Sequence, residues 1–177
     1  MSMVYSAEYR GKITLPQKSG MFSHLFENCP IHDASKLILP ATKLYTSCYY
    51  AMFKGCTSLV NAPELPATSI WASCYGSMFE GCTSLVNAPK LPAKRSQGSY
   101  CYRSMFKGCT SLVNAPELPY DGYLYEGCYY SMFEGCTSLV NAPELPSIYL
   151  NTDCYRSMFR GCTSLVNAPE LPATTLV

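Results

Sequence analysis

The chain carries little charge. Its 177 residues include 13 Lys and Arg against 12 Asp and Glu, a net charge of +1, with only 14% of residues charged. Such a balance sets up no global field to recruit nucleic acid or an anionic membrane, and no long basic run stands out to do so locally. Neither partner is expected. No stretch of about eighteen apolar residues occurs, so membrane insertion is not expected. The opening residues, MSMVYSAEYRGK, have no apolar core behind a basic end, which reads as a cytosolic protein or a trimmed chain without a secretion signal. Histidine is scarce as well: His24 and His32 are the only two, with no carboxylate or cysteine motif around them, and they read as surface or packing residues. There is no clustered Ser-His-Asp, no phosphate-cradling glycine loop and no acid pair set apart from the repeats. The expectation is a protein that is not an enzyme and has no cofactor and no metal site.

What the chain does have is repetition. GCTSLVNAPELP at 55–66 returns at 81–92 with Lys90 in place of Glu, and again at 108–119, 135–146 and 161–172. Met-Phe pairs begin at 52, 78, 105, 132 and 158, stepping by 26, 27, 27 and 26 residues. A fixed period in this range marks a solenoid and decides the fold class before any secondary structure is assigned. The extra residue always falls between the closing Pro of a block and the next Cys: seven residues follow Pro40, Pro66 and Pro146, and eight follow Pro92 and Pro119. Length variation confined to one place marks a surface loop or the start of a helix. The hydrophobic content of 48% suffices for a core in a chain this long.

Within a repeat, Leu44, Cys48, Tyr49, Met52, Phe53 and Cys56 are spaced by 4, 1, 3, 1 and 3, which puts them on one face of a short helix. Gly55 then supplies the left-handed residue that ends it. Gln97 stands in repeat three where the others have Leu or Ile, so its first helical turn is expected to be loose. Beyond the glycine, Leu59, Ala62 and Leu65 point inward along a short extended run. Pro63 inside that run cannot donate to a ladder, so pairing between repeats must be short or bulged. The predicted fold is an α/β repeat solenoid of the leucine-rich-repeat kind, with short parallel strands on one side and short helices on the other. Its parts are an N-terminal cap and atypical first repeat (1–40), five near-identical repeats of 26–27 residues (41–172), and the start of a truncated repeat (173–177). In the cap, Phe26 falls near the Met-Phe position, Cys29 near the second Cys, and Leu37, Leu39 and Pro40 close the strand.

Eleven cysteines are present, ten of them as five pairs eight residues apart, from Cys48/Cys56 to Cys154/Cys162, with Cys29 left over. On one helix the two sulfurs of a pair would be about 12 Å apart by helical rise, beyond disulfide reach. Structural zinc favours tighter spacing. Buried free thiols acting as small apolar core residues are expected, with disulfides between repeats or a metal as the alternatives.

The pattern LP-ATTL-x-x-x-CY-x-x-MF-x-GC-TSL-x-x-AP-x-LP, over residues 20–177, resembles the BspA-like class of leucine-rich repeats found in bacterial surface proteins. That resemblance implies adhesion and protein binding, a bacterial surface or secreted origin, and no catalytic residues. The chain departs from the family in having no secretion signal and in ending at LPATTLV without a cap.

The constant blocks scarcely differ, whereas the segments between them read ATKLYTS, ATSIWAS, AKRSQGSY, YDGYLYEG and SIYLNTD. Drift alone would have marked the framework too. Either recombination homogenised the copies while the loops were selected, or a consensus scaffold was engineered and varied. The varied residues are those of a paratope, rigid aromatics among small polar groups. Candidate partner-binding residues are Lys43, Tyr45 and Tyr50; Trp71; Lys94, Arg95, Tyr100 and Arg103; Tyr120, Asp121, Tyr123, Tyr125, Glu126 and Tyr130; and Tyr149, Asn151, Asp153 and Arg156. Lys94 and Arg95 beside Asp121 and Glu126 give the patch two signs of charge. The plainer reading is a set of tolerant surface positions, but those drift towards Lys, Glu and Ser rather than Tyr and Trp.

Lys54, Glu80, Lys107, Glu134 and Arg160 alternate in sign and should pair across repeats, each pair contributing about 0–1 kcal/mol. Glu64, Glu117, Glu144 and Glu170 stack like charges around Lys90, as a solvated rim or as a site for a cation or basic peptide. Asn61 and its equivalents are expected to hydrogen-bond turning backbone. Three functions follow: a binder of an unidentified protein target through the variable edge; a fragment of an adhesin that binds host or matrix protein through its constant face; or a self-assembling unit, two chains joining as a homodimer at the uncapped C-terminal edge.

Overall fold

The computed structural model describes residues 18–91, 95–96, 98–119, 122–145, 147, 149–171 and 175–176, with backbone only at 95–96 and 175–176. The repeats stack in parallel, each residue facing its counterpart about 26 positions on. Regular strand is sparse. β1 (Lys43–Leu44), β2 (Ser69–Ile70) and β3 (Arg95–Ser96) form one parallel sheet, and β4 (Tyr149–Leu150) pairs in parallel with β5 (Thr175–Leu176). Leu124 bridges to Leu150.

Two expectations are corrected by this layout. The strands lie in the variable segments rather than in the constant blocks. There, Pro63 and its equivalents leave only single-residue parallel bridges, at Asn87, Asn114, Asn141 and Asn167 and between Asp33 and Asn61. The register also puts Ser96, not Gln97, opposite Ile70; Gln97 itself lies outside the described residues. A Cβ at Gly98 would come within 2.5 Å of the Ala72 backbone, so the longer spacer runs hard against its neighbour there.

The larger correction concerns the helices. Among the described residues there is no α-helix; where one was expected the chain runs as overlapping four-residue turns. Cys48, Tyr50, Met52, Lys54 and Cys56 each donate an N–H to the carbonyl three residues back, at 3.1–3.3 Å. The amides between them point out of the repeat. Ser47, Tyr49, Ala51, Phe53 and Gly55 donate to the carbonyls of Ala72, Cys74, Gly76, Met78 and Glu80 in the next repeat, at 2.7–3.1 Å. Every fourth residue takes a positive φ to make this possible: Ser47 (56°), Ala51 (52°) and Gly55 (71°), then Ser73, Ser77 and Gly81, and so on along the chain. Gly55 is therefore the last left-handed residue of a series rather than the terminator of a helix.

A helix is too wide for this stack. Helices pack about 8–10 Å apart, whereas the rings here stack at about two-thirds of that. Phe22, Tyr49, Tyr75, Tyr102, Tyr129 and Tyr155 form one column with centroids 5.4–6.2 Å apart. Phe26, Phe53, Phe79, Phe106, Phe133 and Phe159 form a second, at 5.4–5.9 Å. Turn ribbons are flat enough to stack at that spacing, and the apolar period of four (Cys48, Met52, Cys56; Tyr49, Phe53) keeps the same face inward. The inner members of both columns, with Cys48, Met52, Cys56, Leu59, Leu85, Leu112 and Leu139, are buried and form the core, and Phe22, Phe26, Tyr155 and Phe159 at its ends are partly buried.

All eleven cysteines are free thiols, most of them buried. They also make hydrogen bonds: the Sγ of Cys56, Cys82, Cys109, Cys136 and Cys162 donates to the carbonyls of Phe26, Phe53, Phe79, Phe106 and Phe133, at 3.0–3.1 Å. Each thiol thus ties its repeat to the one before. The asparagines, by contrast, are exposed at their bridges, so Asn61 and its equivalents are not the buried polar groups expected of them.

Ser157 is half-buried at φ 56°. Ser157→Gly should hold or raise the urea midpoint, because glycine takes positive φ freely, while Ser157→Val should lose about 1–3 kcal/mol. In a helix the order would differ, with glycine the costly replacement at about 1 kcal/mol. A second expectation comes from the thiols. Burial pushes Cys48, Cys82 and Cys136 up to about 12 and Cys74 to about 11. The folded state then keeps protons that the unfolded chain has lost, so their contribution is complete below about pH 9 and falls away as the pH rises to about 12. Urea midpoints across that window should fall; a flat profile would contradict the buried-thiol account.

Candidate functional site

While Leu44, Ile70 and Leu124 of the variable segments point into the core, the turn ribbon and the short strands hold the candidate residues on the outside of the stack. Contacts join them into three groups. In the first, Tyr45 stacks on Trp71 with centroids 6.2 Å apart, beside Lys43 on the exposed side of β1. In the second, Tyr123 and Tyr125 meet edge to face at 5.1 Å, and the Nδ2 of Asn151 donates to the Tyr123 hydroxyl at 3.1 Å. Tyr149 lies exposed on β4.

The third group surrounds the turn ribbon. Tyr100 donates its hydroxyl to Glu126 at 2.5 Å. That hydrogen bond raises the Tyr100 hydroxyl above its ordinary range, since ionising it would place two negative charges together. The guanidinium of Arg103 lies 5.5 Å from the Tyr100 ring and 5.2 Å from the Tyr130 ring, and that of Arg156 lies 5.9 Å from the same Tyr130 ring. Arg156 also pairs with Asp153 at 3.3 Å. Lys94, Tyr120 and Asp121 lie outside the described residues, and only the backbone of Arg95 is described, within β3.

Glycines in the next repeat seat two of these rings, a relation that sequence reasoning passed over. A Cβ on Gly76 would lie 3.0 Å from the Tyr50 ring, and one on Gly127, at φ 57°, would lie 2.2 Å from the Tyr100 ring. The signal was a bulky residue followed one repeat later by glycine. His24 was read only as a surface or packing residue, and it meets Tyr50 edge to face at 5.4 Å while pairing with Glu27 at 2.8 Å.

The alternating charges pair across repeats. Lys54 meets Glu80 and Lys107 meets Glu134, each at 3.3 Å, and Arg160 also reaches Glu134. Burial would raise Glu134, but hydrogen bonds from Ser131, Arg160 and Lys107 outweigh it and hold the carboxyl below its ordinary range. Among the described residues, no group of three or more His, Cys, Asp or Glu is placed to hold a metal ion, and no helix is long and apolar enough to cross a membrane.

No family model matches the chain, and no curated protein matches its sequence. Among solved structures, it is similar to the crystal structure of a leucine-rich repeat protein of T. pallidum, with a TM-score of 0.46 and 21% identity, over 89% of this chain and 69% of that one.

Both Glu126→Gln and Gly127→Ala should bring the Tyr100 hydroxyl back towards its ordinary titration, the first by removing the acceptor's charge and the second by lifting the ring from its seat. Carbon-13 NMR of the tyrosine rings through alkaline pH reads this directly. A Tyr100 titration unchanged in both variants would contradict the geometry.

Proposed function

We propose that the chain is a non-enzymatic protein-binding module in which a constant repeat scaffold displays a Tyr-rich variable edge to a folded protein target. One observation carries the reading. Aromatics that recur in every repeat are buried in the first four repeats and half-buried in the fifth, whereas four of those confined to the variable segments are exposed: Trp71 by 46%, Tyr149 by 44%, Tyr125 by 38% and Tyr123 by 37%. Large rings left in water at the positions that vary, and nowhere needed by the core, fit a contact surface of paratope type. Salt bridges along the ribbon hold register and leave that edge free for a partner. Either a diversified natural protein or an engineered binder fits this arrangement.

The constant face supplies a second reading, a fragment of a BspA-like bacterial surface adhesin. A cleft of about 440 Å³, lined by Ala115, Pro116, Glu117, Leu118, Pro143 and Glu144, lies between two constant blocks and favours it.

The two readings separate in one paired capture followed by mass spectrometry. Resetting Trp71, Tyr123, Tyr125 and Tyr149 to Thr or Ser should abolish capture of the target while changing the unfolding free energy by no more than about 0.5 kcal/mol per position, as for exposed positions generally. Glu117→Gln with Glu144→Gln should leave capture intact. A partner that survives the reset and is lost with the glutamates would overturn the variable edge in favour of the constant face.

A further inference from the structure

The cations along the ribbon differ in what already neutralises them. Lys54 has Glu80, Lys107 and Arg160 share Glu134, and Arg156 has Asp153. Arg103 is exposed and, among the described residues, has no carboxylate partner. It is nonetheless held in place, with the Tyr100 ring 5.5 Å from its guanidinium carbon and the Tyr130 ring 5.2 Å away. Those rings are fixed in turn: Tyr100 by its hydrogen bond to Glu126 above the Gly127 seat, Tyr130 by Arg156. Among the described residues the guanidinium N–H groups of Arg103 make no side-chain hydrogen bond or ion pair, and those groups form a fork matched to the two oxygens of a carboxylate.

We propose that Arg103 is the anchor of the variable edge and takes a carboxylate side chain, as a two-pronged pair, from the surface of a protein partner. It holds only if the variable edge is a protein-binding surface, as proposed above. Arginine and tyrosine are the residue types in which binding energy concentrates, most of all where the surrounding contacts are already ordered. The charge of the site favours a single negative charge over a phosphate. Glu126 and Asp153 both act on the Tyr100 ring that flanks Arg103, and they would repel a dianion more strongly than a carboxylate.

The test is a selection from a display library of random peptides on the full chain. Alongside it run Arg103→Gln, Arg103→Lys and the form with Trp71, Tyr123, Tyr125 and Tyr149 reset. The unaltered chain should enrich peptides with Asp or Glu at one fixed position. A synthetic copy should bind at least about tenfold more weakly to Arg103→Gln, a difference of about 1.4 kcal/mol. Arg103→Lys should not rescue it, because lysine keeps the charge and loses the fork. Replacing the peptide's acid by its amide should weaken binding to the unaltered chain and add little loss on Arg103→Gln, the mark of a direct pair. Equal binding by Arg103→Gln with loss on the reset form would overturn the anchor and support the module. Equal binding by the reset form would overturn the module itself. A phosphoserine at the acid position that binds more tightly, or a selection with no acidic enrichment, would overturn the carboxylate assignment.

Discussion

Every second amide along the turn ribbon leaves its own repeat, and a carbonyl of the next repeat is what it finds. The rest of the structure depends on that ladder. A left-handed residue other than glycine costs about 1–2 kcal/mol, and each repeat holds one or two of them besides its glycines. One ladder bond contributes about 1 kcal/mol net, and one stacked ring pair about 0.5–1.5 kcal/mol beyond its burial. With five ladder bonds and two ring pairs at a typical junction, stacking outweighs the strain; an unstacked repeat has only the strain. The ribbon is thus a property of the array and not of its unit.

This explains what could be read in the chain beforehand. Repeat length, the place where extra residues enter and the inward side chains follow from comparing the spacing of the copies, and the free thiols follow from the eight-residue separation within each. The helix did not follow, because Cys48, Tyr49, Met52, Phe53 and Cys56 fit one face of a helix over two turns as well as they fit a period of four. Ser47, Ala51 and Gly55, small residues four apart and repeated as Ser73, Ser77 and Gly81, were the distinguishing sign. The strands were displaced for a related reason: Pro63 confines pairing in the constant block to the Asn bridges, and β-branched or large residues such as Leu44 and Ile70 find partners in the variable segment instead. Of the candidate site, the identities of the exposed aromatics were legible, but the seating of Tyr50 over Gly76 and of Tyr100 over Gly127 required the register between repeats.

Most of the core resides in residues that recur, and the variable segments contribute to it and to the ladder only at fixed places, such as Leu44 and Ile70 inward and Ser47 and Ser73 at positive φ, so the positions between them are left to change. Tyr45 on Trp71, Tyr123 against Tyr125, and Arg103 over the Tyr100 and Tyr130 rings are contacts among variable residues themselves, made outside the core. A surface of this kind can differ from one array to another while the amide ladder beneath it is untouched. That separation is the physical basis for reading the chain as a display scaffold.

The most direct measurement on the account is backbone NMR of the ribbon at Ser47, Ala51, Ser77, Ser104 and Ser131. One-bond Cα–Hα couplings and amide-to-alpha distances should report positive φ at each fourth residue, with contacts from alternate amides to the following repeat. A continuous run of sequential amide contacts with alpha-to-amide contacts three residues on, the pattern of an α-helix, would contradict the ladder and with it the stacking on which the rest is built.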